Sequence, residues 1–211
     1  MKPKNELIIM CKNEEIKKVF QSYSTLHPDE PVLFDGIITE GDHNILFILK
    51  ESNIGENIKK SDIDYAFWFK EVYKTKKANP CDYYGKNLTR VEKSAQTKYF
   101  NCITQIVEGI RETEANIDTD TKIGISYINI NKNGGGSNCN SIGIKDWLKT
   151  DCKHQFLLDQ IKTIKPDKIV IFSCNNSNPQ IQEFAKELNS KYSVIEKEYH
   201  PSRYKKSKNK N

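Results

Sequence analysis

Residues 45–53 have the sequence ILFILKESN, an unbroken apolar run that stops at a group of polar side chains. A run without polar alternation is typical of a strand that is covered on both faces, as in a parallel sheet flanked by helices. The carboxyl ends of strands in such sheets open onto the binding crevice. We therefore predict that Glu51, Ser52 and Asn53 lie at the mouth of a site. The alternative is a polar turn in which Ser52 or Asn53 caps a helix.

Length and charge limit the classes of protein that are possible. A chain of 211 residues with 36% hydrophobic content can bury one sizeable core, so we expect a single domain over residues 1–203. Residues 204–211 are rich in lysine and are predicted to form a disordered basic tail. The net charge of +5 permits nucleic acid as a partner without requiring it.

No apolar run is long enough to cross a bilayer, and Met1-Lys2-Pro3-Lys4 leads into no signal-peptide core. We therefore expect a soluble cytoplasmic protein. The six cysteines are scattered and form no CxxC pair, which predicts free thiols and neither a metal site nor a cofactor.

The first half of the chain gives several predicted elements, separated by turn residues. An aromatic group that includes Phe67, Trp68 and Phe69 is either a helix buried all round or a platform for a ligand, and core packing is the more common outcome. Residues 132–138 are predicted to be a flexible glycine-rich loop, without the lysine and hydroxyl spacing of a Walker loop. The other predictions are a helix over Glu6–Tyr23, a strand over Pro31–Ile38, a loop-rich insertion over Lys74–Ser94, a helix over Lys98–Arg111 and a strand over Ile123–Asn131. The strand over Pro31–Ile38 either forms a hairpin with the central strand or approaches it.

The second half alternates helices and strands. A helix over Asp146–Ile164 is closed by Pro166 and leads to a strand over Lys168–Phe172. A helix that ends at Leu188 and a strand over Tyr192–Glu196 follow. This alternation predicts an α/β protein, a three-layer α/β/α sandwich with a mainly parallel central sheet.

In that architecture Glu51, Asn129 and His200 all follow strands and can converge on one edge of the sheet. A carboxylate can activate water, an amide can bind a donor and an acceptor side by side, and a histidine can donate to a developing negative charge. The trio suits hydrolysis of a bond whose leaving group is a heterocyclic anion. Each residue also has a purely structural interpretation, as a solvated acid, a strand-end cap or a loop histidine.

The order of these motifs resembles that of the uracil-DNA glycosylase superfamily. The resemblance covers about residues 31–203 and depends on His200-Pro201-Ser202 near the end, on Tyr127-Ile128-Asn129 in a middle strand, and on the helix, proline turn and strand of residues 151–170. The chain differs from the family at Lys50-Glu51-Ser52-Asn53, where the family has a glycine and a proline. It also has Arg203 and Tyr204 where the family often has an apolar wedge.

The resemblance implies a monofunctional DNA glycosylase of base excision repair. Such an enzyme flips uracil or a related deaminated base out of the helix and hydrolyses its N-glycosidic bond. It implies Glu51 and His200 as catalytic residues and Asn129 as the residue that binds the base edge. An aromatic ring from Phe67, Trp68 or Phe69 would stack on the base, and Ser52, Ser202 and Arg203 would contact phosphate.

The partner implied is single-stranded or duplex DNA that contains a damaged base, with a preference for single strands because the wedge is missing. We expect a monomer. Some branches of the family hold an iron-sulfur cluster, but the paired cysteines near the start are absent here, which predicts no cluster. Two alternatives stay open: a non-catalytic nucleic-acid-binding or protein-binding member of the same fold, and a hydrolase of nucleosides or nucleotides.

Overall fold

A computed structural model describes residues 4–30, 32–53, 90–115, 117–135 and 141–201. Within these residues five strands form one mainly parallel sheet, and helices pack against it. The predicted α/β class with a mainly parallel sheet is therefore confirmed. In chain order the elements are α1 (Lys4–Leu26), β1 (Gly36–Thr39), β2 (His43–Asn53), α2 (Arg90–Thr113), β3 (Ile123–Gly135), α3 (Ser141–Lys149), α4 (Asp151–Ile164), β4 (Lys168–Phe172), α5 (Pro179–Asn189) and β5 (Ser193–Lys197).

The strand order across the sheet is β1-β3-β2-β4-β5. Strands β3, β2, β4 and β5 run parallel, and β1 pairs antiparallel with β3 at the edge. Of the two predicted roles for the strand before β2, a hairpin or an approach strand, the hairpin is wrong because β3 lies between β1 and β2. The central position of β2 explains its unbroken apolar run, since both of its edges and both of its faces are covered by protein.

The buried side chains form two clusters, one on each face of the sheet. Leu46 and Ile48 of β2 join the first cluster, whereas Ile45, Phe47 and Leu49 join the second, as the alternation of a strand requires. Helices α1, α3, α4 and α5 contribute apolar residues to the first cluster, and α2 contributes Cys102, Ile103, Ile106 and Ile110 to the second. Helices therefore pack on both faces.

Several predicted boundaries need correction. Strand β3 continues through Gly135, so the predicted loop over residues 132–138 is strand for its first four residues, and the last of these pairs with Asn53. The predicted helix over Asp146–Ile164 is two helices with a break at Thr150, whose ψ of 117° is extended. Helix α2 already begins at Arg90, inside the predicted insertion. Residues 54–89, which include the rest of the insertion and the aromatic group, lie outside the described residues.

Helix α4 ends as its sequence predicts. Lys165 adopts the left-handed conformation (φ 53°) and its N–H donates to the carbonyl of Ile161, which closes the last turn. Pro166 follows directly and cannot extend the helix. The chain then enters β4, whose carboxyl end lies beside that of β2.

Candidate functional site

The carboxyl ends of β2, β3, β4 and β5 form one edge of the sheet, which we call the carboxyl edge. Glu51 is paired with Asn131, so its backbone lies one strand away from Asn129 and two residues further along. His200 follows β5 by three residues at the same edge. Three strand spacings separate β3 from β5, about 14 Å between their backbones. The structure thus brings these three backbone segments to a common edge, with β4 between the segment of Glu51 and the segment of His200.

Glu51 and Ser52 are not in a turn after β2 but within the strand itself. The description of both residues is limited to the backbone. Phe67, Trp68, Phe69, Ser202 and Arg203 lie outside the described residues, so the predicted stacking and phosphate contacts remain predictions.

Asn129 is buried, with 1% of its surface exposed. Its side-chain oxygen accepts a hydrogen bond from the Tyr127 hydroxyl at 3.0 Å, and its amide nitrogen lies 3.4 Å from Asp35 Oδ2. These two contacts orient the amide, with the oxygen toward Tyr127 and the nitrogen toward Asp35. An oriented amide is what recognition of a base edge requires, but here the amide is held inside the protein rather than presented to solvent.

Asp35 is the centre of a buried polar group beside β3, which we call the Asp35 cluster. Its Oδ2 accepts the backbone N–H of Asn129 at 2.7 Å, and its Oδ1 accepts from Lys132 Nζ at 2.5 Å and from Gln160 Nε2 at 2.8 Å. Gln160 Nε2 also donates to the Asp35 carbonyl at 2.9 Å. Asp35, Lys132 and Gln160 have no exposed surface. The cluster therefore ties the edge of the sheet to α4.

Lys132 lies inside the core, beside Asp35 and two aromatic rings. Its ammonium lies 5.7 Å from the ring centroid of Phe20 and 6.0 Å from that of Phe156, in cation–π range. Burial lowers the pKa of Lys132, and the charge of Asp35 opposes this change. Because Lys132 has no exposed surface, its role in this arrangement is structural, as the partner of Asp35.

The turn between β4 and α5 fixes the other side of the carboxyl edge. Asn175 Oδ1 accepts from the Ser177 N–H and hydroxyl and from Asn178 Nδ2, at 3.2, 2.6 and 2.8 Å. Its Nδ2 donates to the carbonyl of Glu198 at 3.1 Å. Ser173 begins this turn with φ at 67°, a backbone conformation that favours glycine. The turn thus holds the segment that leads to His200.

His200 itself is partly buried, and Tyr199 before it is 55% exposed. Pro201 after it is buried. An exposed aromatic ring beside a histidine provides a flat apolar surface at the edge of the sheet, which is a common feature of sites that bind single-stranded nucleic acid.

The structure describes the side chains of three cysteines. Cys102, Cys152 and Cys174 have free thiols, as predicted for them. Burial raises the pKa of Cys102 to about 11 and that of Cys174 to about 12, so both stay protonated and unreactive at neutral pH. Within the described ranges no three His, Cys, Asp or Glu side chains are grouped so that they could hold a metal ion. None of the helices in those ranges is long and apolar enough to cross a membrane.

No protein-family model, curated protein or solved structure matches this chain. Its candidate site is accordingly defined by its own residues, the carboxyl edge of β2 to β5 and the Asp35 cluster beside it. Sequence reasoning missed Asp35, Lys132 and Gln160. The signal that could have found the first was a lone carboxylate in the strand-like segment Val32–Ile38.

Proposed function

We propose that this protein is a DNA glycosylase that hydrolyses the N-glycosidic bond of uracil or a related deaminated base. The observation that carries the proposal is the parallel order β3-β2-β4-β5, which brings the segments of Asn129, Glu51 and His200 to one edge. These are the three segments that the resemblance to the uracil-DNA glycosylase superfamily requires. Helices on both faces support a three-layer sandwich of that type.

In the proposed reaction the base leaves the stack, because its glycosidic carbon cannot be reached inside a duplex. The amide of Asn129 binds the base edge, and His200 donates a hydrogen bond to the carbonyl oxygen on which negative charge develops. Glu51 orients a water molecule, whose oxygen bonds to the sugar C1′ as the bond from C1′ to the base nitrogen breaks. One proton of that water is released and the base leaves as an anion that is protonated in solution.

The test is base release from labelled oligonucleotides that contain uracil, hypoxanthine or xanthine, with product detected as alkali-labile sites. We expect release by the wild-type protein, faster on single strands. A double variant with Asn129→Ala and His200→Ala should lose it. His27→Gln is the control, because His27 stacks on Tyr23 in the helical layer with ring centroids 4.5 Å apart. The proposal fails if the wild type releases none of these bases or if the double variant is as active as the wild type.

A second candidate, a non-catalytic nucleic-acid-binding protein, is favoured by one observation. The Asn129 amide is buried and contacts Tyr127 and Asp35 inside the protein, as a structural amide would. This candidate predicts binding to DNA or RNA that weakens steeply with salt, without release of any base. The same oligonucleotides separate the two functions, since only the first produces alkali-labile sites.

A further inference from the structure

The Asp35 cluster contains more hydrogen bonds and charge than packing of the edge strand requires. A buried ion pair costs desolvation on both partners, and apolar residues of similar volume often serve stability as well or better. Yet Asp35 and Lys132 are both fully buried, and Gln160 beside them uses its amide to bind Asp35 twice. The arrangement therefore calls for an explanation other than stability.

One hydrogen bond of the cluster involves Asn129. Asp35 Oδ2 accepts the backbone N–H of Asn129 at 2.7 Å, and by this contact the cluster holds the middle of β3. The same oxygen lies 3.4 Å from the side-chain nitrogen of Asn129, too far for a strong bond but on the side toward which the amide is turned. Lys132 and Gln160 bind the other carboxylate oxygen, which fixes the plane of the carboxylate and so the direction of Oδ2.

We infer that Asp35 is a positioning residue, which fixes the backbone and the amide orientation of Asn129 for recognition of the base. This inference rests on the proposed function. Lys132 neutralises the carboxylate so that it can be buried there, and Gln160 stops it from rotating. Asp35 touches no substrate in this mechanism, and its effect passes entirely through Asn129.

Two double variants separate the positioning of Asn129 by Asp35 from the effect of the buried charges. Asp35→Leu with Lys132→Met removes both charges and the acceptor for Asn129, whereas Asp35→Asn with Lys132→Met removes both charges but keeps a carbonyl oxygen that can accept the same N–H. If Asp35 positions Asn129, the leucine variant loses about 10²-fold in kcat. KM should change little, and the asparagine variant should retain most of the activity. Both are compared at equal folded fraction, measured by circular dichroism.

The backbone amide of Asn129 gives a readout that does not depend on activity. In the leucine variant its nuclear magnetic resonance signal should move upfield and its hydrogen should exchange faster, while the asparagine variant keeps both near wild type. Asp167→Asn is the matched control, because Asp167 Oδ2 accepts the N–H of Asn44 at 2.7 Å at the start of β2. That change should leave the Asn129 signal in place.

A folded leucine variant with wild-type kcat and an unmoved Asn129 signal would overturn the inference. If the wild type releases no base, the proposed function fails, and the Asn129 signal alone decides whether Asp35 holds this residue. If the leucine variant does not fold, Gln160→Leu replaces it, since it removes the two hydrogen bonds from Gln160 to Asp35. We then expect a shifted Asn129 signal and a loss in kcat of about fivefold, and an unchanged signal would count against the inference.

Discussion

The side-chain amide of Asn175 donates a hydrogen bond to the carbonyl of Glu198 across 3.1 Å, two residues before His200. The turn after β4 and the segment after β5 are therefore joined by one side chain. The backbone adds a second link nearby, because the N–H of Cys174 donates to the carbonyl of Lys197 at 3.0 Å. The position of His200 thus depends on a residue that lies in a different loop.

Replacing Asn175 with alanine should loosen this junction. Asn175→Ala removes the donor to Glu198 and the acceptor for Ser177 and Asn178, and we expect a loss of about 1–2 kcal/mol in the free energy of unfolding. Base release should fall further than the loss of folded protein explains, because the segment before His200 is no longer held. Urea unfolding and the oligonucleotide assay measure the two effects.

The control for this change is Ser190→Ala at the other end of α5, where the hydroxyl donates to the carbonyl of Glu187 at 2.7 Å. This variant should unfold nearly as the wild type does and keep its activity. Equal losses of activity in the two variants would show that the turn has no special connection to His200.

Replacement by alanine should have opposite effects on stability at Gly41 and at Gly109. A Cβ at Gly41 would lie 2.1 Å from the carbonyl oxygen of Lys122 and 2.2 Å from the N–H nitrogen of Gly124, where the chain segments before β2 and β3 meet. Because both neighbours are backbone atoms, Gly41→Ala should destabilise the protein by about 1–3 kcal/mol. Gly109 lies inside α2, and among the described residues nothing lies within 4 Å of such a Cβ. Gly109→Ala should therefore stabilise it by about 0.5–1 kcal/mol.

Urea unfolding of both glycine variants measures whether each substitution raises or lowers the free energy of unfolding. A Gly41→Ala variant as stable as the wild type would mean that the two segments can separate at no cost, contrary to the close approach seen here. A destabilised Gly109→Ala variant would mean that the open space beside α2 is occupied by another part of the chain.

The sheet could be predicted from the sequence where burial alone dictates the residue type. Residues 45–49 and 169–172 are apolar at every position because both faces of a central strand are covered, so their pattern does not depend on which strands lie beside them. The end of β3 could not be predicted in the same way. Its glycines and asparagines are typical of a loop, but Asn131 and Gly135 of β3 pair with Glu51 and Asn53 of β2.

The break at Thr150 had no local signal either. No glycine or proline lies between α3 and α4, and Thr150 is held by hydrogen bonds to Asp146, from its N–H to the carbonyl and from its hydroxyl to Oδ1, both at 3.0 Å.

The candidate site was predicted only as a set of strand ends. Lys132 looked like a loop lysine because its partner Asp35 is 97 residues away in the sequence, and only the folded chain brings the two charges together.

Removing one charge of the buried Asp35–Lys132 pair should lower stability more than removing both charges. Lys132→Met leaves the Asp35 carboxylate buried without a cation, so we expect a loss of about 3–5 kcal/mol in the free energy of unfolding. Adding Asp35→Asn should restore most of that loss, because the remaining groups are neutral and can still form hydrogen bonds. Denaturant unfolding of the single and double variants measures the difference, and a single variant of wild-type stability would mean that water reaches Asp35.

Stability in acid should depend on Lys153, which links α4 to two acidic residues. Lys153 Nζ lies 3.0 Å from Glu30 Oε2 and 2.7 Å from Asp146 Oδ2, and the Tyr23 hydroxyl also donates to Glu30 at 3.0 Å. Hydrogen bonds from Lys153 lower the pKa of Glu30 and that of Asp146 below their ordinary values of 4.5 and 3.8. Because the folded-state pKa is the lower one, the stabilisation is complete above the unfolded values and is lost as the pH falls through the folded ones.

We therefore expect Lys153→Met to lower neutral stability by no more than about 1 kcal/mol, since the side chains of Glu30 and Asp146 are 39% and 46% exposed and solvent screens the charges. Between pH 7 and the acid range below the ordinary value of 4.5 for Glu30, its stability should decline less steeply than that of the wild type. Lys149→Met is the control, because its pair with Glu183 is more than half exposed on both sides and should change the slope less. Parallel stability curves for the wild type and Lys153→Met would show that Lys153 does not lower the pKa of either carboxylate.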